Sequence, residues 1–321
     1  YLLDSGDDVI VPAVAAPQVT FADDIAPVAL ALEQEKRVTA QISALVQLAR
    51  TENDLVGEQF LHWFLQEQRE EVASMTELLA IVTELDARGD VRALVLSSTG
   101  RHFSAGMDLG VFTAGLGAPA EGVEEGRARA HVRQVVMLLQ RALTTFEQAR
   151  MPVLAAVQGG CIGGAVDLVC TADMRYASAD AFFVIQETNI GMTADVGTLQ
   201  RLPKLIPDGI ARELAYTGRR LSAPRAAELG LVNEVFPTHD ALVAGVLEIA
   251  AEIATKSPLA VWGIKEMLVH GRDHSVADGL EHVAAWQSGM FQSADLMEAI
   301  AARAESRDPE FPDLLPIPEG L

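Results

Sequence analysis

The chain has few cysteines, few basic residues and no long apolar run, and each shortage excludes a class of protein. Among its 321 residues are two cysteines, Cys161 and Cys170, too few for a disulfide scaffold and without metal-ligand spacing. We interpret them as buried thiols of a reducing compartment. Lysine and arginine number 24 against 45 aspartates and glutamates, a formal charge of -21. Because such a surface repels phosphates and anionic lipids, neither a nucleic acid nor a membrane is expected as the main partner.

The ends of the chain carry no targeting signal. No run of about 18 apolar residues is present, so no membrane span is predicted. The first residues lack an initiator Met and a basic region, which indicates a cut through a longer protein and not a signal peptide. The last residues, IPEGL, are not a peroxisomal tripeptide. We therefore expect a cytoplasmic protein, and its length predicts roughly two domains.

The order of predicted elements indicates an α/β protein that begins with helices. Residues 27–50 and 54–88 are poor in glycine and rich in Ala, Leu, Glu and Gln, which predicts a long helical hairpin. Beyond Gly89, glycine-rich loops alternate with short apolar segments. Three strands are predicted there, at 91–96, 152–157 and 232–236. After about residue 240 the pattern is helical again, as far as a proline-rich tail.

Two polar residues, Gln68 and Glu71, lie within the apolar face of the second predicted helix. On the pattern alone, a tolerated polar layer is the favoured interpretation, although a bound cation would also compensate them. Residues 28–79, which include ALALEQEKRVTAQISALVQLAR and GEQFLHWFLQEQREEVASM, closely resemble the last two long helices of a bacterial ferritin.

The ferritin resemblance implies iron ligands. Glu35, Gln68 and Glu71 match ligands of the ferroxidase site, and Glu67 and Glu70 match an accessory iron position. A ferritin di-iron site also takes two carboxylates and a His from the first two bundle helices, which the printed sequence does not contain. Iron is therefore expected as a cofactor only if this segment is functional, and ferroxidase activity is disfavoured.

Two glycine-rich turns follow predicted strands, FSAGMDL at 103–109 and QGGCIGGA at 158–165. Glycine permits positive φ and lets a ligand approach the backbone, and N–H groups at a helix start can stabilise an anion. Two such turns could direct one N–H each at a single oxygen, as an oxyanion hole requires. Tight turns and close packing explain the glycines equally well, so either turn alone is a weak signal.

Three acidic residues accompany these turns. Asp167 lies one helical turn beyond the second one, Glu187 follows a strand-like segment, and Asp195 lies at a predicted helix start. Each acid by itself is explained as a helix cap or as a solvated side chain.

Together, the turns and the acids resemble a family. Residues from about 84 to 305 resemble the crotonase (enoyl-CoA hydratase/isomerase) superfamily, most closely its Δ3,5-Δ2,4-dienoyl-CoA isomerases, through GGCIGGAVDLV, QETNIGMTADVGTLQRLPK and RDHSVADGLEHVAAW. The hydratase pattern has Glu at position 167 and Gly at 195, whereas the isomerase pattern has Asp at both and Glu at 187, as here. The resemblance implies an α/β fold, a crotonase-type spiral of ββα units with a helical C-terminal trimerisation region, here preceded by the ferritin-like hairpin.

The resemblance also implies a reaction, the isomerisation of 3,5-dienoyl-CoA to 2,4-dienoyl-CoA in fatty-acid β-oxidation. According to this resemblance, Asp195 takes the C2 proton, Glu187 delivers one at C6, and Asp167 adjusts the pKa values of the pair. The backbone N–H groups of Met107 and Gly164 would stabilise the dienolate. Because coupled acids titrate as a set, the division of protons between Asp195 and Glu187 stays open.

An acyl-CoA is the implied substrate, with no cofactor beyond the CoA that it carries. Arg101, Arg201 and Lys204 are candidates for the CoA phosphates by proximity to the motifs, and surface solubility explains them equally well. The helical tail implies a homo-oligomer, a trimer or a hexamer. The expected domains are a ferritin-like segment that is an incomplete four-helix bundle, a crotonase core without its usual first strands, and a C-terminal oligomerisation region, at 1–82, 83–255 and 256–321.

Three alternatives to the isomerase stay open. One is an enoyl-CoA hydratase of the same superfamily, although that pattern activates water with two Glu residues. The second is iron storage by the ferritin-like segment. The third is a hybrid with neither activity, because the ferritin-like helices replace the strand pair and helix with which crotonases usually begin.

Overall fold

The fold is that of a computed structural model, which describes residues 70–106, 124–291 and 293–318, with side chains from residue 77 onward. The described residues from Ser74 onward belong to one compact unit, Ser74–Leu321. Its helices are α1 (Glu70–Arg88), α2 (Glu125–Gln148), α3 (Gly164–Val169), α4 (Thr198–Leu205), α5 (Asp208–Thr217), α6 (Ala223–Glu228), α7 (His239–Ala254), α8 (Pro258–Gly271), α9 (Val276–Met290) and α10 (Ala294–Glu305), with a 3₁₀ helix at Glu187–Ile190. Its strands are β1 (Leu94–Leu96), β2 (Val153–Val157), β3 (Gly160–Ile162), β4 (Met174–Ser178), β5 (Phe182–Val184), β6 (Leu221–Ser222) and β7 (Glu234–Phe236).

The strands form two small sheets. The first is parallel throughout and has the order β1-β2-β4-β7, and the second has the order β3-β5-β6, with β6 antiparallel to β5. The α/β architecture is thus confirmed, and each of the three predicted strands is present with shorter bounds, as β1, β2 and β7. Helices separate the paired parallel strands in sequence, as parallel pairing requires.

β2 is buried on both faces and separates two cores. Val153 and alternate residues after it pack into the larger core, whereas Leu154 and Ala156 pack into the smaller one. Leu242 and Val246 of α7 complete the smaller core. A strand covered on both sides has no polar alternation, which explains the continuous apolar segment VLAAV.

The C-terminal part of α1 packs into the larger core. Leu78, Val82 and Leu85 lie on one face of this helix, and Val82 is fully buried. The helix ends at Arg88, as predicted, and Leu314 in the C-terminal tail donates its N–H to Gly89 O at 3.0 Å. The predicted domain boundaries at 82/83 and 255/256 stay predictions.

Helices α7 to α10 form the helical tail predicted after residue 240. Lys265 of α8 is only 6% exposed and attaches this region to the core, since its Nζ contacts Asp173 Oδ2 at 2.8 Å and Phe146 O at 3.1 Å. Within the described ranges, no helix combines the length and the apolar character that crossing a membrane would need.

Candidate functional site

Strand pairing brings the two glycine-rich turns side by side. Ser104 forms an isolated parallel bridge with Cys161, donates its N–H to Gly160 O at 3.1 Å, and accepts from the Ile162 N–H at 3.2 Å. The chain then turns at Gly106, where φ is +86° and a Cβ atom would lie 3.0 Å from Ile162 O. Glycine at 106 therefore lets the first turn lie directly against β3.

The second turn leads into α3. Gly163 has φ 59° and ψ -125°, and its N–H is bonded to Val184 O at 2.9 Å. Gly164 is the first residue of α3, so its N–H has no partner within the helix. A Cβ atom added at Gly164 would meet nothing within 4 Å, so the space beside it is open. The predicted second donor, Met107, lies outside the described residues, and the oxyanion hole stays a prediction.

Asp167 is the most buried of the three acids, at 1% exposure, because α3 carries it into the core. The N–H of Thr198 donates to its Oδ1 at 2.5 Å. Burial raises the pKa of Asp167, and the charge of Asp195 raises it further. Hydrogen bonds from Thr198 and the charge of Arg201 act in the opposite direction without cancelling the rise.

Glu187 begins the 3₁₀ helix, which ends at Ile190 and is followed by Gly191 in the left-handed region, φ 79°. Its Oε2 atom is buried without a hydrogen-bond partner. Its Oε1 faces the second turn, 3.5 Å from the position of a Cβ on Gly163. Burial raises the pKa of Glu187, and repulsion from Asp167 and Asp195 raises it further. This carboxyl group is therefore suited to hold a proton.

Asp195 does not start a helix, so that prediction was wrong by three residues. Gly197 has φ 139°, which no helix accommodates, and α4 begins at Thr198 instead. Gln140 of α2 donates its Nε2 to the Asp195 carbonyl oxygen at 2.7 Å and fixes the loop. Asp195 is the most exposed of the three acids, and partial burial raises its pKa.

The structure thus brings Asp167, Glu187 and Asp195 within electrostatic reach of one another, although they come from a helix, a 3₁₀ turn and a loop. Beside them lies the unpaired helix start at Gly164. Such a set can remove and deliver protons, because burial raises the pKa of each acid and like charges raise those of Asp167 and Glu187 further.

The structure does not describe the side chains of the predicted iron ligands, so the iron site stays a prediction. Glu35, Gln68 and Glu67 lie outside the described residues, as do the side chains of Glu70 and Glu71 in α1. Among the described side chains, no group of three or more His, Cys, Asp or Glu residues is placed to hold a metal ion.

Sequence reasoning missed a buried ionic cluster next to the acids. Glu147 of α2 pairs with Arg201, Nη2 to Oε2 at 3.1 Å, and with Arg272. Burial alone would raise the pKa of Glu147, but hydrogen bonds from the two arginines lower it below its usual value. The signal was the spacing of Gln140, Thr144 and Glu147, which places all three on one face of α2. Arg201 thus binds a carboxylate on α2, and its candidate role for the CoA phosphates stays a prediction.

The chain is similar to proteins of known family over most of its length. Residues 71–314 match the family model described as enoyl-CoA hydratase/isomerase, and residues 1–84 match that of the ferritin-like domain. The peroxisomal Delta(3,5)-Delta(2,4)-dienoyl-CoA isomerase of Arabidopsis thaliana is 44% identical over 233 residues, 73% of this chain and 84% of that protein. The mitochondrial isomerase of Homo sapiens is 41% identical, over 72% of this chain and 71% of that protein.

Solved structures agree with this match. The enoyl-CoA hydratase of Bacillus anthracis has a TM-score of 0.67 and 33% identity, over 75% of this chain and 89% of that one. The predicted crotonase-type fold is therefore confirmed. On the family match, the identity of its relatives and the shared fold, the chain belongs to the enoyl-CoA hydratase/isomerase family.

Proposed function

We propose that this protein isomerises 3,5-dienoyl-CoA to 2,4-dienoyl-CoA in fatty-acid β-oxidation. The observation that carries the proposal is the meeting of Asp167, Glu187 and Asp195 beside the open start of α3. Relatives named dienoyl-CoA isomerase support the acyl-CoA substrate. No cofactor is needed, because the chemistry consists of proton transfers.

Two carboxyl groups divide the proton transfers. Asp195, the most exposed acid, is the base that removes the proton at C2. Glu187, whose buried Oε2 has no partner and whose pKa is raised, delivers a proton at C6. The charge of Asp167 favours the protonated form of Glu187 by repulsion.

Proton removal at C2 places negative charge on the thioester oxygen. In this proposal the N–H of Gly164, which has no helical partner, donates to that oxygen. The second donor is the N–H of Met107, which lies outside the described residues. One such donor contributes about 3–4 kcal/mol to the transition state in a preorganised site.

Ultraviolet monitoring of 3,5-dienoyl-CoA turnover tests the proposal. Asp195→Asn and Glu187→Gln should each lower kcat by about 10²–10⁴-fold, because each removes one proton-transfer group. The exposed Asp208→Asn is the matched control and should turn over at the wild-type rate. Full turnover in either site variant, with folding unchanged by circular dichroism, would remove the mechanism.

Self-association is part of the proposal. Helices α8, α9 and α10 expose large apolar side chains, which water contacts unfavourably in a single chain. The most exposed of them are Leu268, Val276 and Leu280, together with Phe291 directly after α9. We propose that a second copy of this chain covers them, in a trimer or a hexamer. Light scattering of the purified protein measures the assembly, and a monomer at micromolar concentration would contradict it. A cytoplasmic location stays a prediction.

The alternatives are tested on the same preparation. Hydration of crotonyl-CoA should be slower than dienoyl isomerisation. The hydratase pattern has Glu at position 167 and Gly at 195, whereas this chain has Asp at both. Ferrous oxidation tests the ferritin-like segment, and a rate above that of buffer alone would support the iron alternative. Faster hydration than isomerisation would replace the proposal by the hydratase.

A further inference from the structure

We infer that Arg201 is a positioning residue for the three acids, held against the Asp195 loop by one face of α2. This inference deepens the proposed function and rests on it. Arg201 lies on α4, six residues beyond Asp195, and neither the acid pattern nor the glycine turns indicate it.

The face of α2 that holds this region has three members. Gln140 Nε2 donates to Asp195 O at 2.7 Å. Thr144 Oγ1 accepts from Arg201 Nη2 at 3.2 Å, and Glu147 accepts from Arg201 Nε at 3.3 Å and Nη2 at 3.1 Å. Because the last two bonds are a bidentate pair, they fix the plane of the guanidinium as well as its place. One rigid helix therefore fixes both ends of the segment from Asp195 to Arg201.

The guanidinium of Arg201 packs against the backbone of Gly197, which lies between Asp195 and Thr198. A Cβ atom at Gly197 would overlap Arg201 Nη1, so glycine at 197 is what allows this contact. Gly197 O accepts the Arg201 N–H at 3.0 Å, and the neighbouring Thr198 donates its N–H to Asp167. Arg201 is thus connected to Asp167, the most buried acid, through the backbone of Gly197 and Thr198.

Arg201 also supplies positive charge to the cluster. The groups that face Asp167 are the carboxyl groups of Asp195 and Glu187, the thiols of Cys161 and Cys170, and the guanidinium. Beyond Arg201 stand Glu147 and Arg272, which pair with each other. In a buried site an arginine favours the ionised carboxylate. An ionised Asp167 in turn favours the proton on Glu187, so Arg201 supports the division of roles between the acids.

The test is the pH dependence of kcat/KM with 3,5-dienoyl-CoA. Arg201→Gln should move the acid limb to higher pH by roughly 1 unit, because the Asp167 carboxylate loses a nearby positive charge. It should also lower kcat at least about 10-fold with little change in KM. Arg201→Lys, which keeps the charge, should restore the acid limb and part of kcat. Arg212→Gln removes an exposed cation on α5 and should leave the profile unchanged.

Glu147→Gln distinguishes the effect of the position of Arg201 from the effect of its charge. It leaves Arg201 charged but releases its bidentate pair, so kcat should fall without a shift of the acid limb to higher pH. Circular dichroism checks folding, and Arg201→Gln is expected to fold because Glu147 keeps Arg272. An acid limb that stays in place in a folded Arg201→Gln variant with lowered or normal kcat would overturn the inference.

A second readout does not depend on turnover. Infrared difference titration follows the protonation of the Asp167 carboxyl group, and the spectrum of Asp167→Asn is subtracted to identify its band. This protonation should occur at higher pH in Arg201→Gln than in the wild type. If the wild type did not isomerise dienoyl-CoA but the titration moved as expected, the proposed function would fail and the positioning role would stand. If the wild type isomerised and the titration did not move, the positioning role would fail alone.

Discussion

Thr198 donates its backbone N–H to Asp167 Oδ1 at 2.5 Å, across 31 residues of sequence. This bond joins α3, which starts at the second glycine turn, to the first residue of α4, directly after the loop that carries Asp195. Because Asp167 is almost fully buried, its charge acts on the neighbouring acids with little screening by water. The bond therefore fixes the position of a buried carboxyl group whose charge acts on Glu187 and Asp195.

Asp167→Asn should retain the fold and lose activity. The amide oxygen can still accept from Thr198, but the charge that raises the pKa of Glu187 is gone. Glu187 then loses its proton at lower pH, so the alkaline limb of the kcat/KM profile should move to lower pH. We expect kcat at neutral pH to fall about 10- to 100-fold. An alkaline limb at the wild-type pH would contradict the role of Asp167.

Asp167→Ala is the structural counterpart of that variant. It leaves the buried N–H of Thr198 without an acceptor, which should lower the free energy of unfolding by about 1–3 kcal/mol. Urea denaturation of the two variants side by side measures the difference. Equal stability would mean that the bond is unimportant for folding.

Glu187→Gln should stabilise the protein at neutral pH. The folded pKa of Glu187 is raised above its ordinary value of 4.5, so folding opposes its ionisation. The resulting penalty is absent below pH 4.5, grows as the pH rises toward the folded pKa, and is complete above it. The variant, which does not ionise, should therefore melt roughly 1–3 °C higher than the wild type at pH 7.5.

The control for Glu187→Gln is the same melting experiment about one pH unit below 4.5, where the gain should vanish because Glu187 is then largely protonated in both states. Calorimetry across this range gives the pH dependence directly. A variant that melts below the wild type at neutral pH would show that the ionised carboxylate is stabilised in the fold.

The sequence predicted elements whose cause is local. VLAAV was identifiable as a strand because a buried strand needs an unbroken apolar run. The predicted strand at 91–96 was too long, since Arg92 leaves the sheet and binds Asp313 Oδ1 through Nε at 2.9 Å. That partner is 221 residues away, and no local pattern indicates it.

The candidate site was predictable only through motif resemblance. As isolated residues, Glu187 and Asp195 have ordinary explanations, and their meeting depends on the pairing of β3 with β5 and on the loop before α4. The pair of Glu147 and Arg201 was not predictable, because 54 residues separate the two side chains. The helical spacing on α2 shows which residues share a face but not what that face binds.

The two glycines at the start of α3 should respond differently to alanine. Gly163→Ala forces a side chain into a backbone conformation at φ 59° and ψ -125°, which should cost about 1–3 kcal/mol of stability. Gly164→Ala adds a methyl group to open space and should leave the melting temperature within about 1 °C of the wild type.

The same methyl group at 164 stands beside the N–H proposed to bind the thioester oxygen. Gly164→Ala should therefore raise KM for dienoyl-CoA or lower kcat while stability is unchanged. Melting curves and turnover of both variants make this comparison. A Gly164→Ala variant with wild-type turnover would place the substrate carbonyl elsewhere.

Lys265→Met should detach α8 from the core. The methionine fills a similar volume, but Asp173 Oδ2 loses its ammonium partner, and the carbonyl oxygens of Phe146 and Met151 lose their donor. Because breaking a buried pair leaves a charge without compensation, we expect a loss of about 3 kcal/mol in the free energy of unfolding. Chemical denaturation monitored by tryptophan fluorescence measures it, since Trp262 lies on α8.

The matched control is Lys256→Met. It removes an exposed lysine whose Nζ lies 3.9 Å from Glu252 Oε1. A pair in contact with water contributes little, so this variant should unfold within about 0.5 kcal/mol of the wild type. If α8 also belongs to the surface between copies, Lys265→Met should weaken self-association at protein concentrations where Lys256→Met does not. Equal stability of the two variants would show that the buried ammonium of Lys265 does not hold α8 on the core.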